Sequence, residues 1–587
     1  MRRIRFKFIL LSFFISISVS YCQDNTTEFN ALKEELSLYI QKEMKSNQVV
    51  GLSIALVDDQ DIIWTEGFGY ADKENDIEAT PKTIYRVGSV SKLFTSLAVM
   101  QLAEKNLIFI DDPINKYLPE FSIKTRFEGM GDITPRNILT HHSGLPSDIL
   151  NGFFSEDPKP FTSIIDYLNN EYTCSPPNFC FSYSNPGYSL LGCLVERVSD
   201  KSFVDYTKKY IFKPMGMKNS SFEFTPEMKD LYSKGYVKGI EYHEPALRDL
   251  PAGMLHTNVL DLANFIKMTF NKGVSNNNQI ILAETLKEMQ TQQNNNIPLD
   301  LSLKMGLCWF LSDSDENWDY AGGVAEHGGD TYVYHASLMT LPRQKLGVVV
   351  LTNSESGIKI ASKIARMILK RTLEVNKGIN PPENKEKNED KIHYVKIRKK
   401  SLIKYQGDYI LGSTPLKVVA RRNKLVSYFS GIKIILRMNN NGAFIPRIKL
   451  FGIIPLSKKD QQVKFSEIEG VNSVLLFSNH NKDSLIAGIK VKKAVITDIW
   501  KKRLGKYIIL NDNSNFKLVN DFEILLSNGC LTLKGKDFAG GTLRMLINPI
   551  SDNEAIVEGI GRSTGYTLTF NGNKIYFSGL KLKKIKE

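Results

Sequence analysis

Residues 376–390 break this chain in two. Gly378, Pro381, Pro382 and alternating lysine and glutamate occur there without apolar periodicity, the composition of a solvated linker. Before the break the hydrophobic spacing changes between helix and strand. After it, short β-branched or apolar runs recur beside Asn, Asp and Gly, among them residues 416–419, 432–436, 522–526, 555–558 and 566–570, which is an all-β pattern. With 587 residues and a mass of 66.5 kDa, the chain exceeds one core, so several domains are expected.

In the front part, Leu32, Leu36, Ile40 and Met44 mark a helix over 28–44, and 49–57 reads as a buried strand. Asp58 to Asp61 turn the chain into a second strand, 62–68. A late hairpin, 332–341 and 346–352, is followed by a helix over 358–372. Terminal helices on an antiparallel sheet, with a helix-rich insertion between the hairpins, predict an α/β sandwich with a cleft. Behind the linker, Tyr405-Gln406-Gly407-Asp408-Tyr409 echoes Arg503-Leu504-Gly505-Lys506-Tyr507. The echo suggests two β units, 395–498 and 499–587, although one larger barrel also fits.

Arg2, Arg3, Arg5 and Lys7 precede an apolar run over 8–19, too short to span a bilayer comfortably and typical of an export signal over 1–22. An exported protein is therefore expected, with cleavage after Cys22 and lipid anchoring at Cys22 both open. Beyond Cys22 there are Cys174, Cys180, Cys193, Cys308 and Cys530. Cys174 and Cys180 flank a short loop and either form a bridge or join the others as inert thiols. No cysteine or histidine spacing suggests a metal, and no cofactor is expected. The formal charge is +13, with basic residues crowded between Lys391 and Lys449. That face either meets an anionic envelope surface or is simply solvated; nucleic acid is not an expected partner.

Chemistry concentrates in three segments. Ser89 and Lys92, three apart at the start of an apolar helix, share one face. The helix N-terminus favours an oxyanion, and a lysine in a low-dielectric pocket can give up its proton near neutral pH and activate the serine. Tyr183-Ser184-Asn185 follows: the phenol can relay a proton, and the Asn185 amide can orient a substrate amide. Then comes His327-Gly328-Gly329, whose glycines let substrate approach the backbone, with the N–H groups of Ser89 and Asp330 as the oxyanion donors.

With these three motifs in this order, the chain from about residue 28 to 372 resembles the family of class C β-lactamases, D-alanyl-D-alanine carboxypeptidases, D-aminopeptidases and related esterases. The segments Thr134-Pro135-Arg136-Asn137-Ile138-Leu139-Thr140-His141-His142-Ser143-Gly144-Leu145-Pro146, Pro214-Met215-Gly216-Met217 and Pro251-Ala252-Gly253-Met254 match it too. The resemblance implies a β-lactamase-like catalytic domain over 23–375, joined by a linker over 376–394 to lipocalin-like barrels. It also implies acyl-enzyme chemistry on a small peptide-like amide or ester, with Ser89, Lys92 and Tyr183 catalytic and Asn185, His327, Gly328 and Gly329 binding substrate. One departure matters: β-lactamases of this group carry a lysine where His327 stands, and a largely neutral imidazole makes strong β-lactamase activity doubtful. An amidase or peptidase for substrates of D-amino-acid type is expected, with a carboxylesterase or a slowly turning penicillin-binding sensor as alternatives.

Gly561-Arg562-Ser563-Thr564-Gly565 imitates a nucleophile elbow but lacks its strand–turn–helix context, so a β-turn is expected there. His141 reads as a hydrogen-bonding residue of a turn, and Asp111 and Asp112 read as part of another.

Overall fold

A computed structural model describes residues 27–382 and 394–585, apart from 314, 412–413, 430–431, 451–453, 456–460, 479–483, 513, 515, 528 and 538–539. The expected export signal with Cys22, and most of the linker, lie outside the described residues.

Helix α1 (27–47) leads into strands β1 (Gly51–Asp58) and β2 (Asp61–Asp72). Far along the chain come β3 (Ala325–Asp330), β4 (His335–Leu341) and β5 (Leu346–Thr352). The antiparallel sheet runs β3-β4-β5-β1-β2, with the two-residue strand Ile77–Glu78 at its far edge. β1 is buried along almost its whole length because helices cover both faces. Leu52, Ile54 and Leu56 pack with Leu32, Leu36 and Ile40 of α1 and with Ile364 and Ile368 of the helix that closes this domain, Ala361–Lys377. Ala55 and Val57 point the other way, into a core shared with the insertion, as the period of two requires. Helix α2 (Ser91–Glu104) is buried on nearly every side from Ser91 to Leu102, so it runs through that core rather than over it.

The late hairpin differs from the sequence expectation in one respect. Thr331 to Tyr334 form the turn, and the His-Gly-Gly segment is itself a strand. Its glycines permit close packing: a Cβ on Gly329 would lie 2.0 Å from the Val87 carbonyl oxygen.

Behind the linker stand two closed antiparallel barrels of eight strands. The first closes through pairing of Gly407–Leu411 with Ser484–Val491 and carries Ile454–Pro455 as a short appendage. The second closes through pairing of Gly505–Ile509 with Leu580–Lys584. The sequence echo marks the first strand of each, and both tyrosines make the same bond: Tyr409 donates to the Tyr405 carbonyl at 2.9 Å, Tyr507 to that of Arg503 at 2.7 Å. The single larger barrel is thereby replaced by two.

Candidate active site

Ser89 lies in a 3-10 turn, Gly88–Val90, that feeds directly into α2. Gly88 adopts φ +49°, and a Cβ there would come 2.7 Å from the Asp330 amide nitrogen. Two glycines, Gly88 and Gly329, thus let β3 press against the turn and bring the backbones of Ser89 and Asp330 together, where an oxyanion would need two donors. A Cβ on Gly328, by contrast, would meet only the Ala336 oxygen, at 3.8 Å. That open side leaves room for a substrate.

Lys92 is fully buried. Its Nζ lies 3.1 Å from Ser89 Oγ, 2.7 Å from Asn185 Oδ1 and 2.7 Å from the Ala252 carbonyl oxygen. Burial lowers its pKa to about 7, and the positive charge of Arg562 adds to the lowering. The amide of Asn185 is oriented by Asp148, whose Oδ1 accepts from Asn185 Nδ2 at 2.6 Å. Two of the three lysine contacts therefore go to obligate acceptors. A neutral Lys92 satisfies both with its two protons and turns its lone pair to Ser89.

Tyr183 completes the group. Its ring centre lies 4.8 Å from Lys92 Nζ, and burial pushes the phenol up while an interaction with Ser89 opposes that push. It therefore stays protonated at neutral pH. His141 stacks on it with centroids 4.0 Å apart and accepts the Ser184 amide on Nδ1 at 3.1 Å. The expectation of a backbone-satisfying histidine thus captures one of two roles.

Two residues expected to bind substrate also make contacts within the protein. Asn185 Oδ1 accepts from Lys92 and its Nδ2 donates to Asp148, because helix Asn185–Ser199 places it beside the lysine. His327 is buried: its Nδ1 is 2.6 Å from the Gly328 carbonyl oxygen, its ring lies edge-on to Phe310, and its pKa falls to about 4, chiefly through burial. It is neutral at pH 7.

The second barrel also reaches this site. Tyr566 hydroxyl bridges the backbone of Asp148, 2.8 Å from its nitrogen and 3.1 Å from its oxygen. Ser182 donates to the Gly561 carbonyl at 3.3 Å, and the Ser563 amide donates to Ser147 Oγ at 2.9 Å. Arg562 extends between them, its guanidinium carbon 5.0 Å from the centre of the Tyr183 ring and its Nη2 3.6 Å from Asp148 Oδ2. Ser563 itself occupies a turn at φ +62° between two strands, so the elbow imitation is a turn, as its context suggested. The same loop explains the free thiols Cys174 and Cys180. A Cβ on Gly565 would lie 2.6 Å from that of Cys174, and Cys180 interacts with the Gly561 backbone, so both face the barrel and the alternative of a bridge between them is not realised. Asp148 escaped the sequence reading because it belongs to no motif, and Arg562 because its segment, Gly561 to Gly565, reads as a turn with no sign of what it faces.

This fold, with Ser89, Lys92 and Tyr183 gathered in one cluster, is of the β-lactamase-like type. The Beta-lactamase family profile matches residues 36–372, more than half of the chain, and the protein belongs to that family. It is 25% identical over 342 residues to Protein flp of Staphylococcus aureus strain MW2, covering 56% of this chain and 64% of that protein. To Beta-lactamase-like protein 2 of Dictyostelium discoideum it is 28% identical over 301 residues, covering 48% of this chain and 54% of the relative. The chain thus spans less than two thirds of either relative. Among solved structures, the octameric penicillin-binding protein homologue from Pyrococcus abyssi aligns with a TM-score of 0.52 and 25% identity, over 78% of this chain and 99% of the other. SurE, solved with D-Leu, aligns at 0.56 and 17% identity over 79% and 100%, a likeness of fold.

Proposed function

We propose that the protein hydrolyses amide or peptide bonds of small substrates, including those containing D-amino acids, through an acyl-enzyme on Ser89. The carrying observation is the 3.1 Å contact of Ser89 Oγ with a lysine whose other two contacts are acceptors. Neutral Lys92 takes the hydroxyl proton as Oγ bonds to the substrate carbonyl carbon and the carbonyl π pair moves onto oxygen. The N–H groups of Ser89 and Asp330 receive that oxyanion. When the pair returns, the bond to the leaving nitrogen breaks and Tyr183 supplies its proton, replenished from Lys92. Water then attacks the ester, gives one proton through the same groups to Ser89 and releases the acid.

The neutral His327 speaks against strong β-lactamase activity. We assign the enzyme to the space outside the cytoplasm, on the strength of Arg2, Arg3, Arg5, Lys7 and the apolar run that follows. The basic stretch between Lys391 and Lys449 would suit it to an anionic surface there. The test is steady-state hydrolysis of D-amino-acid amides and short-chain esters by the protein and its Ser89→Ala variant. Turnover of amides that Ser89→Ala abolishes supports the reading; turnover retained by the variant refutes it.

A further inference from the structure

The cation that the third motif lacks is present in the cleft, but it comes from another domain. We propose that Arg562, carried by the second barrel, binds a carboxylate on the leaving fragment of the substrate and so makes such substrates the preferred class.

This rests on the acyl-enzyme reading above, in which Tyr183 protonates the leaving atom. A cation 5.0 Å from the Tyr183 ring then stands beside the departing fragment. His327 leaves the task open, being neutral, turned onto Phe310 and bonded to its own neighbour's carbonyl. Lys92 is committed to Ser89, Asn185 and Ala252. Arg562 is committed much less. Its charged contact is Asp148, at 3.6 Å, and 56% of its side chain is accessible, against 14% for Asp148. A guanidinium has five N–H donors in a planar fork suited to a carboxylate, and one long contact leaves most of them free.

The placement is built rather than incidental. Gly561 and Ser563, on either side of Arg562, are each tied to the catalytic domain through Ser182 and Ser147. Gly565, at φ +76°, lies so close to Cys174 that a side chain would not fit. The loop is therefore held at both ends with the arginine aimed between them. Asp148 links the two functions: one oxygen orients Asn185 and thereby Lys92, the other faces Arg562.

The test uses two acetyl esters that differ only in the leaving group, 4-nitrophenyl acetate and 3-carboxy-4-nitrophenyl acetate, with the full protein, Arg562→Gln and Arg562→Glu. The readout is the ratio of kcat/KM for the carboxylated ester to that for the neutral one. Arg562→Gln is expected to lower this ratio about ten- to a hundredfold, through KM, as loss of a hydrogen bond to a charged group would; Arg562→Glu is expected to lower it further. A ratio equal to that of the unaltered protein in both variants overturns the proposal. Ser89→Ala, assayed alongside, separates the two readings: hydrolysis that depends on Ser89 without discrimination removes the carboxylate site alone, whereas hydrolysis independent of Ser89 removes the acyl-enzyme as well.

Discussion

The first barrel meets the catalytic domain at Ser302 and Ser484, where Ser484 N donates to Ser302 Oγ at 2.9 Å and Ser302 N donates to the Ser484 carbonyl at 3.4 Å, and it packs Ile410 and Val491 on Cys530 and Leu546 of the second barrel. The second barrel, with the same eight-strand closure and the same opening tyrosine bond, packs Phe516 and Leu518 on Phe153, Phe154, Leu247 and Met254 and sends a loop to Tyr183. The strand plan is shared, so it does not explain the difference. One loop does: Gly561 to Tyr566 carries Gly565, which permits close approach, a tyrosine whose hydroxyl bridges Asp148 and an arginine that remains partly accessible.

A matched pair of glycines tests that contrast most severely. Gly565 and Gly470 both adopt positive φ, +76° and +73°, but a Cβ would meet the Cys174 carbonyl oxygen at 2.3 Å in the former and nothing within 4 Å in the latter. Gly565→Val is expected to displace the loop and lower kcat/KM about a hundredfold, the scale of an ångström misplacement at a site. Gly470→Val is expected to cost about 1–2 kcal/mol of stability, the penalty of an L side chain at left-handed φ, with kcat/KM kept. Equal kinetic losses would erase the distinction between the barrels.

The pH profile sharpens it. Lys92 has its folded pKa lowered to about 7, so the neutral base gains population as pH rises through 7, and kcat/KM should climb about tenfold per unit below that point. In Gly565→Val the midpoint should move up, because burial, the largest cause of the lowering, is relieved; an unmoved midpoint would show that the loop does not help enclose the lysine. The stability effect has the matching sign. Below the folded pKa the protein holds a charge that burial disfavours, so Lys92→Met should raise the melting temperature most at acidic pH, and the gain should fade as pH rises from 7 towards 10.5.

Smaller effects belong to single hydroxyls. Tyr566→Phe removes the two bonds to Asp148 and should cost about 1–3 kcal/mol in urea unfolding, with a rise in proteolysis at the barrel junction. Ser302→Ala, at the first barrel's contact, should stay within about 0.5 kcal/mol and leave the rate as it was; a larger loss than for Tyr566→Phe would reverse the ranking of the two interfaces.

What the sequence disclosed follows the range of the interactions. The apolar run over 49–57, the i, i+4 stripe of Leu32, Leu36 and Ile40, and the pairing of Ser89 with Lys92 are local, and each is legible as a run, a period or a spacing. The strand expected from residue 332 starts only at His335, because Tyr332, Val333 and Tyr334 are as apolar as the strand they precede and nothing local marks them as a turn. The embrace of Lys92 by Ala252, the role of Asn185 as its support and the arrival of Arg562 all join residues far apart in the chain. Their chemistry rests on burial and on which loops meet, and neither leaves a period.

The most direct test of the account is intact mass of the full protein after brief exposure to a slow acylating ester, followed by peptide mapping. The account predicts one added acyl group per chain, located on Ser89, formed faster at pH 8 than at pH 6 and absent from Ser89→Ala. An acyl group on Ser563 or another residue, or a protein that turns the ester over while Ser89→Ala does the same, would contradict it.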